Sequence, residues 1–241
     1  VADYGPAAGR DPGGGRELTR SPERMLPSTL FLIRHGQSEG AGTLSGHSDP
    51  PLSAAGHLQA VDASRALERV PLVAVYSSDL ARARDTARAV AAPHTLSEQL
   101  ESDLRERHFG AWEGMRAAEL HAADPDAVTR LWSDPEFAPP QGEAFAAVVR
   151  RVNRARHAIT RRHAGFPVVL VTHAGVLRAV LADLLGLSVA ASMQLELATG
   201  HAVVMQTFAD GGAHVAGINL PPVAWESVWH GLEAEDFRIT A

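Results

Sequence analysis

Two segments of this chain end in the same way. Leu30-Phe31-Leu32-Ile33-Arg34-His35-Gly36 and Val169-Leu170-Val171-Thr172-His173-Ala174-Gly175 are apolar runs that stop at a polar residue, a histidine and small residues. Imidazole can act as base, nucleophile or metal ligand near neutral pH. A single histidine after a strand is usually only a polar loop residue. Two in matched settings point to a shared site, and Arg34 narrows what that site could hold. A guanidinium would repel a zinc ion, and no His-Glu-x-x-His helix is present. The same group favours an anion, above all phosphate, which it can grip through two parallel N–H donors. The small residues after each strand let backbone N–H groups approach such an anion.

Composition supports a search centred on histidine. All 22 Lys+Arg positions among the 241 residues are arginine, and cysteine is absent. A Schiff base or a lysine-bearing P-loop is therefore excluded. So are a thiolate nucleophile, a cysteine zinc site and a disulfide framework. Twelve histidines remain, with Asp, Glu, Ser, Thr and Tyr. The net charge of −6 gives no general attraction to nucleic acid or to an anionic membrane. A hydrophobic fraction of 45% with 21% charged residues suits a globular protein with a real core. No run of about 18 apolar residues suggests a membrane span, and no secretory signal is evident. The expected location is the cytoplasm, as a monomer or homodimer. The wealth of alanine and the exclusive use of arginine read as base-composition bias.

The elements that must position the two histidines follow from periodicity. Residues 1–28 have no apolar period and many backbone breakers, so a disordered extension is expected there, with Met25 a candidate start. A single domain is expected over 29–241. Thr29–Ile33, Leu72–Tyr76 and Val168–Val171 read as buried strands, with a short fourth at His94–Leu96. Helices are expected from Ser53 as N-cap to Arg69, and at Asp79–Ala92, Gly114–Ala123, Asp126–Trp132, Gly142–His163 and Ala174–Leu185. Gln194–Ala198, Ala202–Phe208 and His214–Ile218 alternate like a strand meander. This order predicts an α/β fold, a three-layer α/β/α sandwich on a mostly parallel sheet. In such sheets ligands lie beyond the carboxyl ends of the strands, where both histidines would sit.

Longer motifs carry a resemblance. Arg34-His35-Gly36-Gln37-Ser38-Glu39 resembles the signature of the histidine phosphatase superfamily, which includes the cofactor-dependent phosphoglycerate mutases. Gly46-His47-Ser48-Asp49-Pro50-Pro51-Leu52-Ser53-Ala54-Ala55-Gly56, the helix start around Arg82, Leu104-Arg105-Glu106-Arg107-His108-Phe109-Gly110 and Val171-Thr172-His173-Ala174-Gly175 follow in the family's order. The resemblance spans about 29–219 and implies a phosphoglycerate mutase-like fold. It implies His35 as the nucleophile that becomes phosphohistidine. Arg34, Arg82 and His173 would be its cationic clamp, and Glu106 the general acid and base. Gln37, Ser38, Arg107, His108, Thr172 and Ala174 are candidate substrate contacts, with no metal and no cofactor implied. Motif spacing selects Arg82 over Arg84, which with Arg88 reads as a solvated or paired helix residue.

Two positions depart from the family pattern. Ala41 stands where many members carry asparagine, and Ala144 in Gly142-Glu143-Ala144 replaces a serine. Both remove polar contacts from the expected pocket. Glu106 and His173 are 67 residues apart, a shorter span than in the mutases. The expectation is therefore a histidine acid phosphatase-type phosphomonoester hydrolase acting on a small phosphorylated metabolite. A phosphoglycerate mutase and a non-catalytic binding protein with a decayed site are the alternatives. With no lysine available, specificity is expected from Arg107, His108, Arg116, Arg150 and Arg151. Trp112, Trp132 and Phe145 could be core or a lid.

Overall fold

The computed structural model describes residues 27–208 and 211–234. The expected N-terminal extension and Met25 lie outside these residues. Of that extension only Pro27 and Ser28 are described, and Ser28 corrects the boundary. Ser28 is buried and opens the first strand, its hydroxyl bonded to the His163 carbonyl and the Gly165 N–H.

Six strands form one sheet: β1 (Ser28–Arg34), β2 (Ala74–Ser77), β3 (Glu98–Leu100), β4 (Val168–Thr172), β5 (Ala202–Thr207) and β6 (Ala213–Leu220). Their order is β3-β2-β4-β1-β5-β6. The first four run parallel, and β5 and β6 add an antiparallel hairpin at one edge. Strands β1 and β4 are direct neighbours, with Arg34 opposite Thr172. The residues that follow, His35 and His173, are thereby delivered side by side.

The strand period decides the layers. On β1, Leu30 and Leu32 face one side while Phe31 and Ile33 face the other. The first side packs on α5 (Phe145–Arg162) and α6 (Ala174–Leu185). The second packs on α1 (Ala54–Leu67), α2 (Ala81–Ala91) and α8 (Trp225–Ala234). Both faces are covered, which is why β1 and β4 read as continuous apolar runs rather than alternating ones. The expected α/β/α sandwich is thus the fold. Helix α1 begins as expected, with Ser53 Oγ accepting from Gly56 N–H. Helix α6 has the expected bounds and ends at Gly186, whose φ of +64° suits glycine.

Several elements differ from expectation. The strand expected at His94–Leu96 is absent. Ala92–His94 forms a 3₁₀ turn, Thr95 takes a left-handed φ of +57°, and the strand starts at Glu98, where pairing with Val75 becomes possible. Gln194–Ala198 is not a strand either. It leaves a short helix, α7 (Val189–Met193), through turns in which Gln194 and Leu195 N–H bond Ala191 and Ser192 carbonyls. The alternating apolar residues there bury Leu197 against the sheet without any strand partner. The helix expected from Gly114 begins only at Ala117, because Gly114 has a φ of +82°. This is α3 (Ala117–Ala123), followed by α4 (Pro125–Ser133). Helix α5 starts at Phe145 with Ala144 as its N-cap, which makes no side-chain cap bond. The departure from the family's serine therefore costs this helix a cap.

Candidate active site

His35 sits at the end of β1 and is only 7% exposed. Its Nδ1 lies 2.6 Å from the Gly36 carbonyl. A carbonyl only accepts, so Nδ1 carries the proton and Nε2 keeps its lone pair. Burial pushes its pKa down to about 3, helped by Arg82 and Arg34 and opposed by the Gly36 carbonyl. The ring is thus neutral and nucleophilic at neutral pH. The following turn is tight: a Cβ on Gly36 would strike the Gly56 carbonyl, and the Gly36 N–H donates to Thr86 Oγ1 at 3.1 Å. Glycine is required there because the loop lies directly on the start of α1.

His173 is fully buried, its ring 5.0 Å from that of His35. Its Nε2 is 2.9 Å from Ser78 Oγ, while its Nδ1 has no partner among the described residues. Burial, and then the neighbouring His35, hold its pKa well below the usual value. Arg34 donates Nη1 to the Leu197 carbonyl at 2.6 Å, and its Nε is buried without a partner. Arg82 is 1% exposed on the first turn of α2. Its terminal nitrogens bind the carbonyls of Ser45, Gly46 and Ser48, so it also ties down the loop that walls the site. Glu106 is held by two backbone donors: Arg107 N–H to Oε1 at 2.8 Å and Gly175 N–H to Oε2 at 3.0 Å.

All of these groups except the fully buried His173 line a cleft of about 210 Å³. Arg34, His35, Ser38, Arg82, Glu106, Ala174 and Gly175 line it, as do Phe109, Trp132 and Phe145. Ala41 lines it too, so the place of the family's asparagine faces the cleft as a methyl group. Among the described residues, no three His, Asp or Glu side chains converge as a metal site would need.

The other candidate residues fall elsewhere. Gln37 is exposed, and its side chain accepts from Ser53 Oγ at 3.0 Å, bracing the loop rather than facing the cleft. Thr172 is buried and donates to the Leu104 carbonyl at 2.8 Å, tying β4 to the segment that carries Glu106. Arg107 touches the cleft wall, but its guanidinium binds the carbonyls of Glu143, Leu131 and Phe137. His108 stacks on His47 with 4.5 Å between rings and lies 3.5 Å from Glu113. Arg151 pairs with Glu143 at 2.9 Å and binds the carbonyls of Asp103, Arg105 and Glu106. Arg116 precedes α3 on the surface, and Arg150 lies on an apolar groove away from His35. Of the specificity set expected from the sequence, Arg107 and Arg151 are therefore taken up by the protein's own carbonyls, and Arg116 and Arg150 do not line the cleft. Trp132 and Phe145 border the cleft, whereas Trp112 packs against Phe137 at 5.9 Å.

Two residues escaped the sequence reading. Ser78 holds His173 through the bond described. Arg178, on α6, lines the cleft; its Nη2 reaches the Leu195 carbonyl at 3.2 Å and its Nε is buried without a partner. One signal was available: Arg178 follows Ala174 by four residues, which places both on one helix face.

Comparison with known proteins agrees with this geometry. Residues 30–221 match the profile of the histidine phosphatase superfamily (branch 1), and the chain belongs to that superfamily. A bifunctional protein of Mycobacterium tuberculosis is 35% identical over 199 residues, covering 81% of this chain and 55% of that protein. The chain thus spans about half the length of that relative. A glucosyl-3-phosphoglycerate phosphatase of Mycolicibacterium vanbaalenii is 37% identical over 174 residues, covering 68% of this chain and 77% of its own. Among solved structures, YhfR of Bacillus stearothermophilus superposes with a TM-score of 0.73 at 32% identity, over 78% of this chain and 95% of that one. No helix among the described residues is long and apolar enough to cross a membrane.

Proposed function

We propose that this chain hydrolyses phosphomonoesters of small metabolites through a phosphohistidine intermediate on His35. One observation carries the reading. A neutral imidazole with a free Nε2 stands in a cleft beside buried nitrogens, Arg34 Nε and His173 Nδ1, that no protein group satisfies. With Ser78 Oγ donating to His173 Nε2, His173 Nδ1 carries a proton, as Arg34 Nε does; unpaired buried donors are costly, and phosphoryl oxygens would supply the missing acceptors.

The steps follow from the positions. His35 Nε2 forms a bond to phosphorus as the ester P–O bond breaks, and protonated Glu106 gives its proton to the leaving oxygen. The His35 Nδ1–H bond to Gly36 disperses the positive charge that develops on the ring. A water oxygen then attacks the phosphorus, Glu106 takes its proton, and inorganic phosphate leaves as His35 is restored. Arg34, Arg82 and His173 bind the equatorial oxygens. Such charge stabilisation is most of what phosphoryl transfer asks of a protein. Names of relatives such as glucosyl-3-phosphoglycerate phosphatase support a hydrolase.

The test is phosphate release from a panel of phosphomonoesters, with acid-labile labelling of the protein by substrate phosphate. Wild type should turn over and trap label, and His35→Ala should do neither. Conversion of 3-phosphoglycerate to 2-phosphoglycerate with little phosphate release would favour a mutase. Equal inactivity of both proteins would favour a binding role.

A further inference from the structure

The loop that receives Arg82 is gripped from two sides. On one side Arg82 gives Nη1 to the Ser48 carbonyl at 2.8 Å, and Nη2 to the Ser45 and Gly46 carbonyls at 2.7 and 2.9 Å. Three of the five N–H donors of the guanidinium are spent in this way, so the loop's position decides where the other two point. On the other side stands the Glu113 carboxylate. Its Oε1 accepts from His47 N–H at 2.6 Å and Phe109 N–H at 3.3 Å, and its Oε2 accepts from Ser48 N–H. The Gly46 carbonyl and the His47 N–H belong to one peptide group. Arg82 and Glu113 thus hold its two ends, cation on the oxygen and anion on the hydrogen, and each bond polarises the other.

The same carboxylate joins this loop to the segment of the acid. Phe109 closely follows Glu106, and the His47 ring donates Nε2–H to the Glu106 carbonyl at 3.1 Å. The two segments lie directly on each other: a Cβ on Gly46 would strike the Arg107 carbonyl and Glu113 Oε1. Glu113 pairs with no arginine among the described residues; His108 lies 3.5 Å away, and the Glu113 side chain is 15% exposed. Burial pushes its pKa up, yet the N–H groups of His47, Ser48 and Phe109 hold it below the usual carboxylate value. Its charge is therefore spent on orienting backbone. Leu44 anchors the loop separately, its N–H on the Met115 carbonyl and its carbonyl on the Gly114 N–H. Loss of Glu113 should thus shift residues 46–48 without releasing the loop.

We propose that Glu113 is a positioning residue for phosphate binding, holding the Gly46–Ser48 backbone so that Arg82 faces the phosphoryl group beside His35 and keeps a fixed relation to Glu106. This rests on the phosphohistidine reading of the same cleft. Glu113 does not itself line that cleft and acts through Arg82. A clamp displaced by a fraction of an ångström loses both affinity and rate, which is why a residue outside the cleft matters.

The experiment measures inorganic phosphate binding by calorimetry and kcat/KM on p-nitrophenyl phosphate, with a thermal melt of each protein. Wild type is compared with Glu113→Gln, Glu113→Ala, Arg82→Met, the Glu113→Gln/Arg82→Met double variant and His35→Ala. Glutamine keeps the shape and one accepting oxygen, but its amide NH2 meets a backbone donor; alanine removes both oxygens. Glu113→Ala should weaken phosphate binding by roughly ten- to a hundredfold, the scale of lost hydrogen bonds to a charged group. Glu113→Gln should fall between it and wild type. In the Arg82→Met background the glutamine change should cost less than about threefold more in kcat/KM, because the group it positions is gone. Two outcomes overturn the proposal: a folded Glu113→Gln that binds phosphate as wild type does, or a loss of the same size with and without Arg82. The latter would make Glu113 only a brace of the fold. Should Glu113→Ala fail to fold, Glu113→Gln decides. If wild type releases phosphate and His35→Ala does not, the hydrolase reading stands whichever way the Glu113 result falls. If both are equally inactive, that reading has failed, and calorimetry alone decides on Glu113.

Discussion

Replacing Gly175 with alanine tests whether Glu106 acts from the position seen. Gly175 is the second residue of α6, and its N–H donates to Glu106 Oε2 at 3.0 Å. A methyl group there would lie 3.1 Å from Glu106 Cδ and inside the contact distance of Oε1. The carboxylate must withdraw by about 1 Å to restore an ordinary C···O separation of roughly 3.3 Å. That movement breaks or bends both backbone bonds that hold it. Losing a hydrogen bond to a charged group costs about 1.5–3 kcal/mol, and a 1 Å misplacement of a reacting group can cost roughly a hundredfold in rate. Gly175→Ala should therefore lower kcat on an alkyl phosphate by roughly ten- to a hundredfold. The loss should be smaller on p-nitrophenyl phosphate, whose leaving group needs little protonation. Alanine suits a helix better than glycine by up to about 1 kcal/mol, so the fold should persist. Steady-state kinetics on both esters, with a thermal melt of each protein, is the assay. An unchanged kcat on the alkyl ester in a folded variant would refute the reasoning.

Two further outcomes follow from neighbouring residues. The folded chain keeps His35 neutral down to about pH 3, whereas an unfolded chain protonates histidine near 6.5. Between those values the unfolded state binds the extra proton, so stability falls as pH drops, by up to about 1.4 kcal/mol per unit from this group. His173 acts in the same direction. His35→Asn should flatten the acid arm of stability against pH, measured by denaturant melts, and NMR titration of wild type should find His35 neutral at pH 5. A His35 midpoint near 6.5 would contradict both. Arg151→Met leaves Glu143 unpaired in a half-buried setting and frees three carbonyls around Glu106. It should destabilise the fold by about 3 kcal/mol, read from denaturant midpoints, with a pooled loss of kcat; a stable, fully active variant would assign that network no role.

Much of the fold was legible because its strongest signals are local. The runs at β1 and β4 are apolar on both faces, and Ser53 and Gly186 mark helix ends by side-chain and backbone chemistry of their own. Where reading failed, the deciding partner was distant. Leu195 and Leu197 alternate like a strand, yet the turns that follow α7 leave them paired to no strand of the sheet. The strand near Glu98 is defined by β2, not by its own sequence, which is polar and exposed. His94–Leu96 looked better, but Pro93 and the left-handed Thr95 turn the chain there.

The site divides along the same line. The sequence by itself determined which chemistry is available: no lysine, no cysteine, and two histidines after matched apolar runs with an arginine and a glutamate in family order. It could not determine where each arginine points. Arg107 follows Glu106 directly and Arg151 lies far from it on α5, but the carbonyls that claim them come from Leu131, Phe137, Glu143 and the Asp103–Glu106 turn. Arg178 stood unnoticed on a helix, yet the fold leaves its Nε buried without a partner in the cleft. An arginine is structural or functional according to which acceptors other elements bring within reach, and only the tertiary structure supplies them.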